Sequence, residues 1–209
     1  MKRYLILAFS IFVLAGCASL SKEECRQADW HMIGLEDGAR GYPLTRISSH
    51  RKACADAGVT PDLARYRAGL EEGYRTYCTR ANGYQVGIAG QEYQNVCEGP
   101  NAESFSQAYQ HGRDYYRLRQ TAANLDRQIN DNHAAIAELA EDSSYHEEQL
   151  VHHHGSAAER QSHLDSIKYN SQEISKLEES ITYAERERSI VQRDLTSLLE
   201  DHYALGFSP

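Results

Sequence analysis

The sequence predicts a mainly α-helical protein, in which a small disulfide-stapled, Gly/Tyr-rich domain is followed by a long antiparallel helical hairpin of the coiled-coil type. Eleven of the fourteen glycines and four of the five cysteines lie within residues 23–112. Beyond residue 112 the only glycines are Gly155 and Gly206. Because glycine interrupts regular structure, we expect short elements in a repeat domain at 23–112 and nearly uninterrupted helix at 113–205.

The chain begins with a segment that has the properties of an export signal. Lys2 and Arg3 precede an uncharged apolar run at residues 5–14. That run is too short to cross a bilayer, which takes about 20 apolar residues. A basic start, a short apolar core and small residues after it are typical of a secretory signal peptide. We therefore predict a signal peptide at 1–16 that is removed from the mature protein.

The end of this segment, Leu14-Ala15-Gly16-Cys17, resembles the lipobox of bacterial lipoproteins at all four positions. The resemblance implies cleavage before Cys17, lipid attachment at Cys17 and a short lipidated tether at 17–22. Two or three acyl chains give stable anchoring, whereas one chain holds weakly. Ala18 stands where aspartate would retain a lipoprotein in the inner membrane, so the resemblance favours the outer membrane, facing the periplasm. The alternative is an ordinary secretory signal beside an unrelated cysteine.

The mature chain is acidic. Without Lys2 and Arg3, 20 basic and 30 acidic residues remain, which is a net charge of −10 with histidine neutral. Nucleic-acid binding requires a basic surface, so we predict no nucleic-acid partner. The same charge disfavours anionic lipid, so we expect the N-terminal lipid to make the membrane contact. Residues 113–209 contain 10 basic and 18 acidic residues and carry most of the negative charge.

Four cysteines remain after the lipidated one. An even number of cysteines in an exported chain predicts disulfides. Four cysteines allow three connectivities, and we favour the two local pairs. A zinc site built from all four thiolates is the alternative, although the chain has no CxxC pair. The favoured pairs are Cys25–Cys54 and Cys78–Cys97.

Glycine-containing segments recur in the repeat domain. Gly34 and Gly38, and likewise Gly69 and Gly73, lie four residues apart, so each pair would share one face of a helix. Without a side chain on that face, another backbone or an aromatic ring can approach closely. We predict short helices whose glycine faces pack against Trp30 and the numerous tyrosines. The four segments that align are 30–40, 65–75, 83–90 and 108–115.

The stretch from Tyr77 to Cys97 leaves a second interpretation open. Asn82-Gly83 is a strong signal for a two-residue turn between strands. A small β-hairpin is therefore the alternative to a short helix in this stretch.

Several motifs of the repeat domain carry a family resemblance. They are Trp30-His-Met-Ile-Gly-Leu-Glu-Asp-Gly-Ala-Arg-Gly-Tyr-Pro43, His50-Arg-Lys-Ala-Cys54, Gly69-Leu-Glu-Glu-Gly73-Tyr-Arg-Thr-Tyr-Cys78 and the stretch 82–97. Together they resemble the signature of a family of uncharacterised bacterial lipoproteins, the domain of unknown function DUF2799. The resemblance covers about residues 23–117 and implies no activity. The helical part is interpreted as an extension beyond the family core.

The distal part contains two runs of apolar residues with alternating spacings of three and four. Heptads sustained in this way are typical of coiled coils, and the alternative is an ordinary amphipathic helix packed on its own domain. Polar residues at core positions tend to fix register and partner. The positions are Leu118, Ala122, Leu125, Ile129, Asn132, Ile136 and Leu139, and then Ile167, Asn170, Ile174, Leu177, Ile181, Ala184, Arg188, Val191, Leu195 and Leu198.

A turn is predicted between these runs. Gly155 interrupts the helical pattern, and Ser156-Ala-Ala-Glu159 has the pattern of a capping box. The chain would reverse there into an antiparallel hairpin in which each core asparagine faces a leucine. That mismatch hints that the asparagines serve an intermolecular partner, so self-association through the coiled coil stays open. The facing pairs would be Leu139 with Asn170 and Asn132 with Leu177.

Histidines cluster around the predicted turn, near residues 142–156. Imidazole is the commonest metal ligand and titrates near neutral pH. The cluster could bind zinc or copper loosely, sense pH, or be a polar loop without a role. The candidate ligands are His146, His152, His153 and His154, with His163 nearby.

No catalytic motif stands out. The sequence lacks a nucleophile elbow, a phosphate loop, HExxH and a cofactor fingerprint, so we predict no cofactor and no enzymatic activity. His50 and Cys54 are four residues apart, but disulfide formation is the expected fate of Cys54. Carboxylates for acid–base chemistry or sugar binding would be Glu36, Asp37, Glu71 and Glu72, which are also explained as solvated helix faces.

These patterns favour a membrane-anchored envelope lipoprotein that acts as a structural or protein-interaction scaffold. The expected partners are the membrane, through the N-terminal lipid, and either an envelope protein or a second copy of the chain. The alternative is a periplasmic ligand-binding module, with metal at the His-rich turn or glycan at the Tyr-rich domain.

Overall fold

The computed structural model describes residues 21–152 and 155–209, and the regular elements in this part of the chain are all helices. The prediction of a mainly α-helical protein is therefore confirmed. The predicted signal peptide and the lipid-attachment residue Cys17 lie outside the described residues. None of the described helices combines the length and apolar character needed to cross a membrane.

The described chain packs as two units. The first contains the described residues up to 86 together with 91–110, and the second contains 87–90 together with 111–209. In chain order the helices are α1 (Lys22–Arg26), α2 (Trp30–Ala39), α3 (Ile47–Cys54), α4 (Leu63–Tyr77), α5 (Arg80–Ile88), α6 (Pro100–His152) and α7 (Ala157–Ala204), with single 3₁₀ turns at Leu44–Arg46 and Ala55–Ala57.

Aspartate side chains cap the N-terminal ends of α2 and α4. Asp29 Oδ1 accepts hydrogen bonds from the backbone N–H groups of His31 and Met32 at the start of α2. Asp62 caps α4 in the same way, on Ala64 and Arg65. These carboxylates satisfy N–H groups that have no partner within the helix.

Helices α2 and α4 cross with their backbones in contact. A Cβ atom added at Gly34 or Gly38 would lie within 3.0 Å of the α4 backbone, at Tyr66 and Leu70 respectively. Added at Gly69 it would meet the carbonyl of His31, and at Gly73 that of Leu35. The glycine faces were predicted to pack against aromatic rings. In the structure these two faces pack against each other, because the absence of Cβ on both sides permits the closest backbone approach.

Aromatic rings contact other glycines of the chain. The Tyr77 ring lies against Gly41, and the Tyr116 ring lies against Gly90. Both glycines have a positive φ, +75° and +71°, which glycine adopts without the steric cost that a Cβ would add. Tyrosine rings thus pack on glycines at these turns, and not on the helical glycine faces for which such packing was predicted.

Two disulfides staple the first unit. They join Cys25 to Cys54 and Cys78 to Cys97, with Cα–Cα distances of 5.5 Å each, and they are the two local pairs favoured from the sequence. Each lies in its own small core. The first core contains Cys25, Trp30, Ile47, Cys54, Tyr66 and Leu70, and the second contains Tyr77, Cys78, Val86, Val96, Cys97 and Phe105.

The alternative of a β-hairpin at 77–97 is wrong. Asn82 and Gly83 lie inside α5, and the Asn82 side chain donates to the Tyr77 carbonyl at 2.8 Å. A Cβ at Gly83 would collide with the backbone of Phe105. Glycine is therefore needed at this position for close packing of α5 against α6 and not for a turn.

The long helix of the second part begins earlier than predicted. Helix α6 starts at Pro100, whereas the change in composition placed continuous helix from residue 113. Proline suits the first position of a helix, where its missing N–H has no helical partner to lose. Gly112 does not interrupt this helix and is buried within it.

Helices α6 and α7 form the predicted helical hairpin. Their apolar heptad positions meet inside the pair, where Ile129, Ile181 and Ala184 are buried with Leu125 and Ile136 packed against them. The capping box at the start of α7 is present. Glu159 N–H donates to Ser156 Oγ at 3.3 Å, and Ser156 N–H donates to Glu159 Oε2 at 2.6 Å.

The core asparagines have hydrogen-bond partners within the hairpin, so the mismatch with leucine is no longer a reason to expect another chain there. Asn170 Nδ2 donates to Asp142 Oδ2 at 2.8 Å and to Ser143 Oγ at 3.1 Å. Asn132 Nδ2 donates to Ser180 Oγ at 3.0 Å. Each asparagine lies opposite a leucine, but its amide reaches a polar side chain one helical turn from that leucine. The polar partners are Ser180 for Asn132, and Asp142 and Ser143 for Asn170.

Helix α7 ends in a Schellman motif that turns the chain back. Gly206, with φ of +79°, donates its N–H to Tyr203 O, and Phe207 donates its N–H to His202 O. The turn buries the Phe207 ring, whose centroid lies 6.2 Å from that of His202 and 5.8 Å from that of His111. A small aromatic cluster thereby closes this end of the second unit.

Candidate functional site

A buried carboxylate organises the first unit. Asp37 of α2 is 5% exposed. Its Oδ2 atom accepts a hydrogen bond from Tyr66 Oη of α4 at 2.7 Å and lies 2.6 Å from His50 Nε2 of α3. The same side chain therefore joins three helices of the unit.

The surroundings of Asp37 control its ionisation. Burial raises the pKa of this carboxyl, but the hydrogen bonds from His50 and Tyr66 and the positive charge of Arg46 outweigh burial and lower the pKa below its ordinary value of 3.8. Burial and the adjacent Asp37 carboxylate raise the pKa of Tyr66 far above its ordinary value. The network thus holds an ionised aspartate and a neutral tyrosine at neutral pH.

The contacts of Asp37 indicate a structural role, in contrast to the acid–base or sugar-binding role considered from the sequence. With both hydrogen bonds directed inward and little exposed surface, the carboxylate is positioned to hold helices together. The other carboxylates considered for that role, Glu36, Glu71 and Glu72, are exposed on helix surfaces. Cys54, four residues from His50, is in a disulfide and so is not a free thiol.

A cleft of about 500 Å³ opens elsewhere in the first unit. It lies beside α4 and the segment before α6, with Leu70 and Val96 among its apolar lining. Tyr74 also lines it, and burial raises the pKa of this phenol to about 12, with contributions from Glu98 and Asp37. The polar residues that line the cleft are Arg67, Glu71, Arg75, Gln94, Asn95, Glu98 and Asn101.

The histidine cluster is only partly assembled in the described residues. His146 Nδ1 lies 2.8 Å from His163 Nδ1, and His146 Nε2 lies 3.4 Å from Asp142 Oδ2. Both nitrogens of His146 are therefore directed at neighbours and not at a common point. Among the residues that the structure describes, no three His, Cys, Asp or Glu side chains are arranged to hold a metal ion. His152 is exposed at the end of α6, and His153 and His154 lie outside the described residues.

Large apolar side chains are exposed on the outer faces of the hairpin. Tyr145, Tyr169 and Tyr183 are each more than half exposed, and so are Val151 and Leu164. These residues lie outside the heptad positions that pair α6 with α7, so the folding of the hairpin does not account for them. The sequence analysis did not identify them, because heptad spacing identifies the inner stripe of a helix and not the aromatic residues on its outer side.

Comparison with known proteins agrees with the motifs of the first unit. A family model matches residues 29–114, which contain α2 to α5, three of the four disulfide cysteines and the whole Asp37 network. No curated protein and no solved structure matches the chain. The family model that matches residues 29–114 is described as Protein of unknown function (DUF2799), in agreement with the resemblance of the sequence motifs.

Proposed function

We propose that the protein is a lipid-anchored lipoprotein of the bacterial envelope that acts as a protein-interaction scaffold through its helical hairpin. The observation that carries the proposal is the set of exposed tyrosine and aliphatic side chains on the outer faces of α6 and α7. Two of them, Tyr145 and Tyr169, line one hollow between α6 and α7, and contiguous exposed apolar surface is typical of places where a partner binds.

The membrane attachment in this proposal is supported by the sequence. The four residues Leu14-Ala15-Gly16-Cys17 follow a basic start and a short apolar core. In this proposal the lipid on Cys17 provides the anchor. The outer membrane, on its periplasmic side, is the proposed location.

Attachment is tested by labelling cells with radioactive palmitate and separating their membranes. The wild-type chain should carry the label and sediment with the outer membrane. The variant Cys17→Ser should lose the label and should not be processed to the mature size. Labelling that persists in Cys17→Ser would refute lipid attachment at this residue.

The scaffold role is tested by the native size of the protein after mild detergent extraction. The full chain should migrate in a complex larger than the chain alone. A truncated chain that ends at residue 112 keeps the packed residues of the first unit and should migrate alone. If both forms migrate in the same complex, the hairpin is not the interaction element.

Glycan binding at the first unit is a second candidate function, favoured by the cleft. Its lining combines the Tyr74 ring with amide side chains from Gln94, Asn95 and Asn101, and such groups bind sugars by stacking and hydrogen bonding. Titration calorimetry with soluble peptidoglycan fragments tests this candidate. Binding heat that disappears in Asn95→Ala would support it, and absence of heat with the wild-type chain would exclude it.

A further inference from the structure

A groove runs between α6 and α7 in the distal half of the hairpin. It has a volume of about 740 Å³, and its apolar floor contains Ala135, Leu139 and Leu177. The tyrosines Tyr145 and Tyr169 stand on its sides and are 54% and 59% exposed. The groove therefore offers apolar surface between two aromatic side chains that the hairpin itself leaves uncovered.

The charges along this groove have one sign. Its charged lining residues are Glu138, Glu141, Asp142 and Glu173, and no lysine or arginine lines it. Glu173 is paired with Lys176 at 2.6 Å, and Asp142 accepts from Asn170. Glu138 and Glu141 are exposed on α6, so their charges remain available to a partner.

The surrounding sequence adds to the negative charge around the groove. Residues 131–173 contain nine carboxylates and only two cationic side chains, Arg160 and Lys168. Two copies of the chain, or the chain and an anionic lipid surface, would bring like charges together at the groove. Charge complementarity thus selects a cationic occupant.

The groove extends along α7, as a third helix packed on the hairpin would. On α7 its lining residues Tyr169, Glu173 and Leu177 follow each other at intervals of four, which is the spacing of the ridges between which a third helix packs. A second hollow shares Asp142 and Tyr169 with the groove and extends it to Ala158. The distance along α7 from Ala158 to Leu177 is roughly 28 Å at 1.5 Å per residue.

We propose that this groove binds a basic amphipathic helix of a partner protein. Apolar residues on one face of that helix contact Ala135, Leu139 and Leu177 between the two tyrosines. Lysine or arginine residues beside that face pair with Glu138 and Glu141. The inference deepens the proposed scaffold function and rests on it, since it names the chemistry of the partner.

The test uses the full mature chain with Cys17→Ser and two labelled peptides of about 20 residues, a length that matches the groove. Both peptides carry leucine on one helical face. One has lysine and the other has glutamate on the remaining positions. Fluorescence anisotropy should show binding of the lysine peptide alone, weakening as salt is added because screening reduces charge attraction.

Variants locate the binding. The double variant Tyr145→Ala/Tyr169→Ala should weaken binding of the lysine peptide about tenfold or more, as expected for two aromatic anchors. The variant Glu138→Gln/Glu141→Gln should lower the salt dependence. The matched control Tyr183→Ala/Tyr203→Ala removes equally exposed tyrosines of α7 outside the groove and should change affinity less than twofold.

Three results would overturn the inference. They are equal binding of the two peptides, no binding of the lysine peptide, and equal loss in the groove and control variants. Failure of this inference is distinguishable from failure of the scaffold proposal. If the full chain still migrates in a hairpin-dependent complex from detergent extracts, the scaffold stands and only the groove is excluded.

Discussion

At the scale of single residues, Asp37 is the side chain whose replacement should cost the first unit most. Asp37→Ala leaves the buried Tyr66 hydroxyl and the His50 ring without their acceptor, and we expect a loss of about 2–3 kcal/mol in the free energy of unfolding. Asp37→Asn should cost less, because its amide oxygen still accepts one hydrogen bond. Urea unfolding followed by circular dichroism measures both.

The exposed neighbour of Asp37 provides the control for this prediction. Glu36→Gln removes a carboxylate from the same helix without touching the network, and it should change stability by no more than about 0.5 kcal/mol. If Asp37→Ala is as mild as Glu36→Gln, the network does not hold the three helices together.

A second residue-scale prediction concerns acidification of the second unit. Burial lowers the pKa of His202 below its ordinary value of 6.5, and the nearby His111 lowers it further. The unfolded chain therefore binds a proton at His202 at higher pH than the folded chain does. The stability contributed by neutral His202 is fully present above pH 6.5 and is lost as pH falls from there through the folded-state pKa.

The variant His202→Phe checks this sign. It keeps an aromatic ring between His111 and Phe207 but cannot titrate. Urea unfolding at a series of pH values should show that the wild-type chain loses stability relative to this variant on acidification below 6.5. Parallel curves for the two proteins would show that His202 does not contribute to the pH dependence.

At the scale of elements, the crossing of α2 and α4 determines whether Gly→Ala substitutions raise or lower the stability of the protein. Alanine has a higher helix propensity than glycine by about 1 kcal/mol, so Gly→Ala at an open helical position stabilises. At Gly34 or Gly69 the added Cβ meets backbone of the facing helix, which cannot rotate away as a side chain can. We expect Gly34→Ala and Gly69→Ala to destabilise by about 3 kcal/mol, the upper range for overpacking.

Thermal unfolding of the two glycine variants tests this crossing. Glu36→Ala adds no atoms to the interface, lies on the same helix as Gly34 and should leave the melting temperature nearly unchanged. Stabilisation of the protein by Gly34→Ala would mean that α2 and α4 do not approach each other at their backbones.

Elements with local signals and the two disulfides could be predicted from the sequence, whereas the side-chain network around Asp37 could not. The heptads of α6 and α7 and the Ser156–Glu159 capping box follow from spacings of three and four residues within one helix. Asp37 contacts His50 and Tyr66, which lie 13 and 29 positions away in the sequence and on separate helices. No local sequence pattern predicts these contacts. Asn82-Gly83 gave the wrong prediction of a β-hairpin, because this dipeptide occurs in tight turns and also where glycine permits close packing of helices.

At the scale of the whole molecule, the chain combines a segment that matches the DUF2799 family model with an acidic hairpin that lies largely outside the match. Most heptad positions of the hairpin are satisfied within the chain, including Asn132 and Asn170. A second copy is therefore not needed to cover the inner stripe. We propose that the exposed outer faces of α6 and α7 serve interaction with a partner, and this division between inner and outer faces is our central claim.

Site-specific photo-crosslinking in cells tests that claim most directly. Photoreactive residues would replace Glu148, Gln172, Arg186 and Gln192, each of which is exposed on α6 or α7, and crosslinked species would be identified by mass spectrometry. We predict that neighbouring positions capture one and the same envelope protein. Capture of the chain only by itself, or of no protein from any of the four positions, would contradict it.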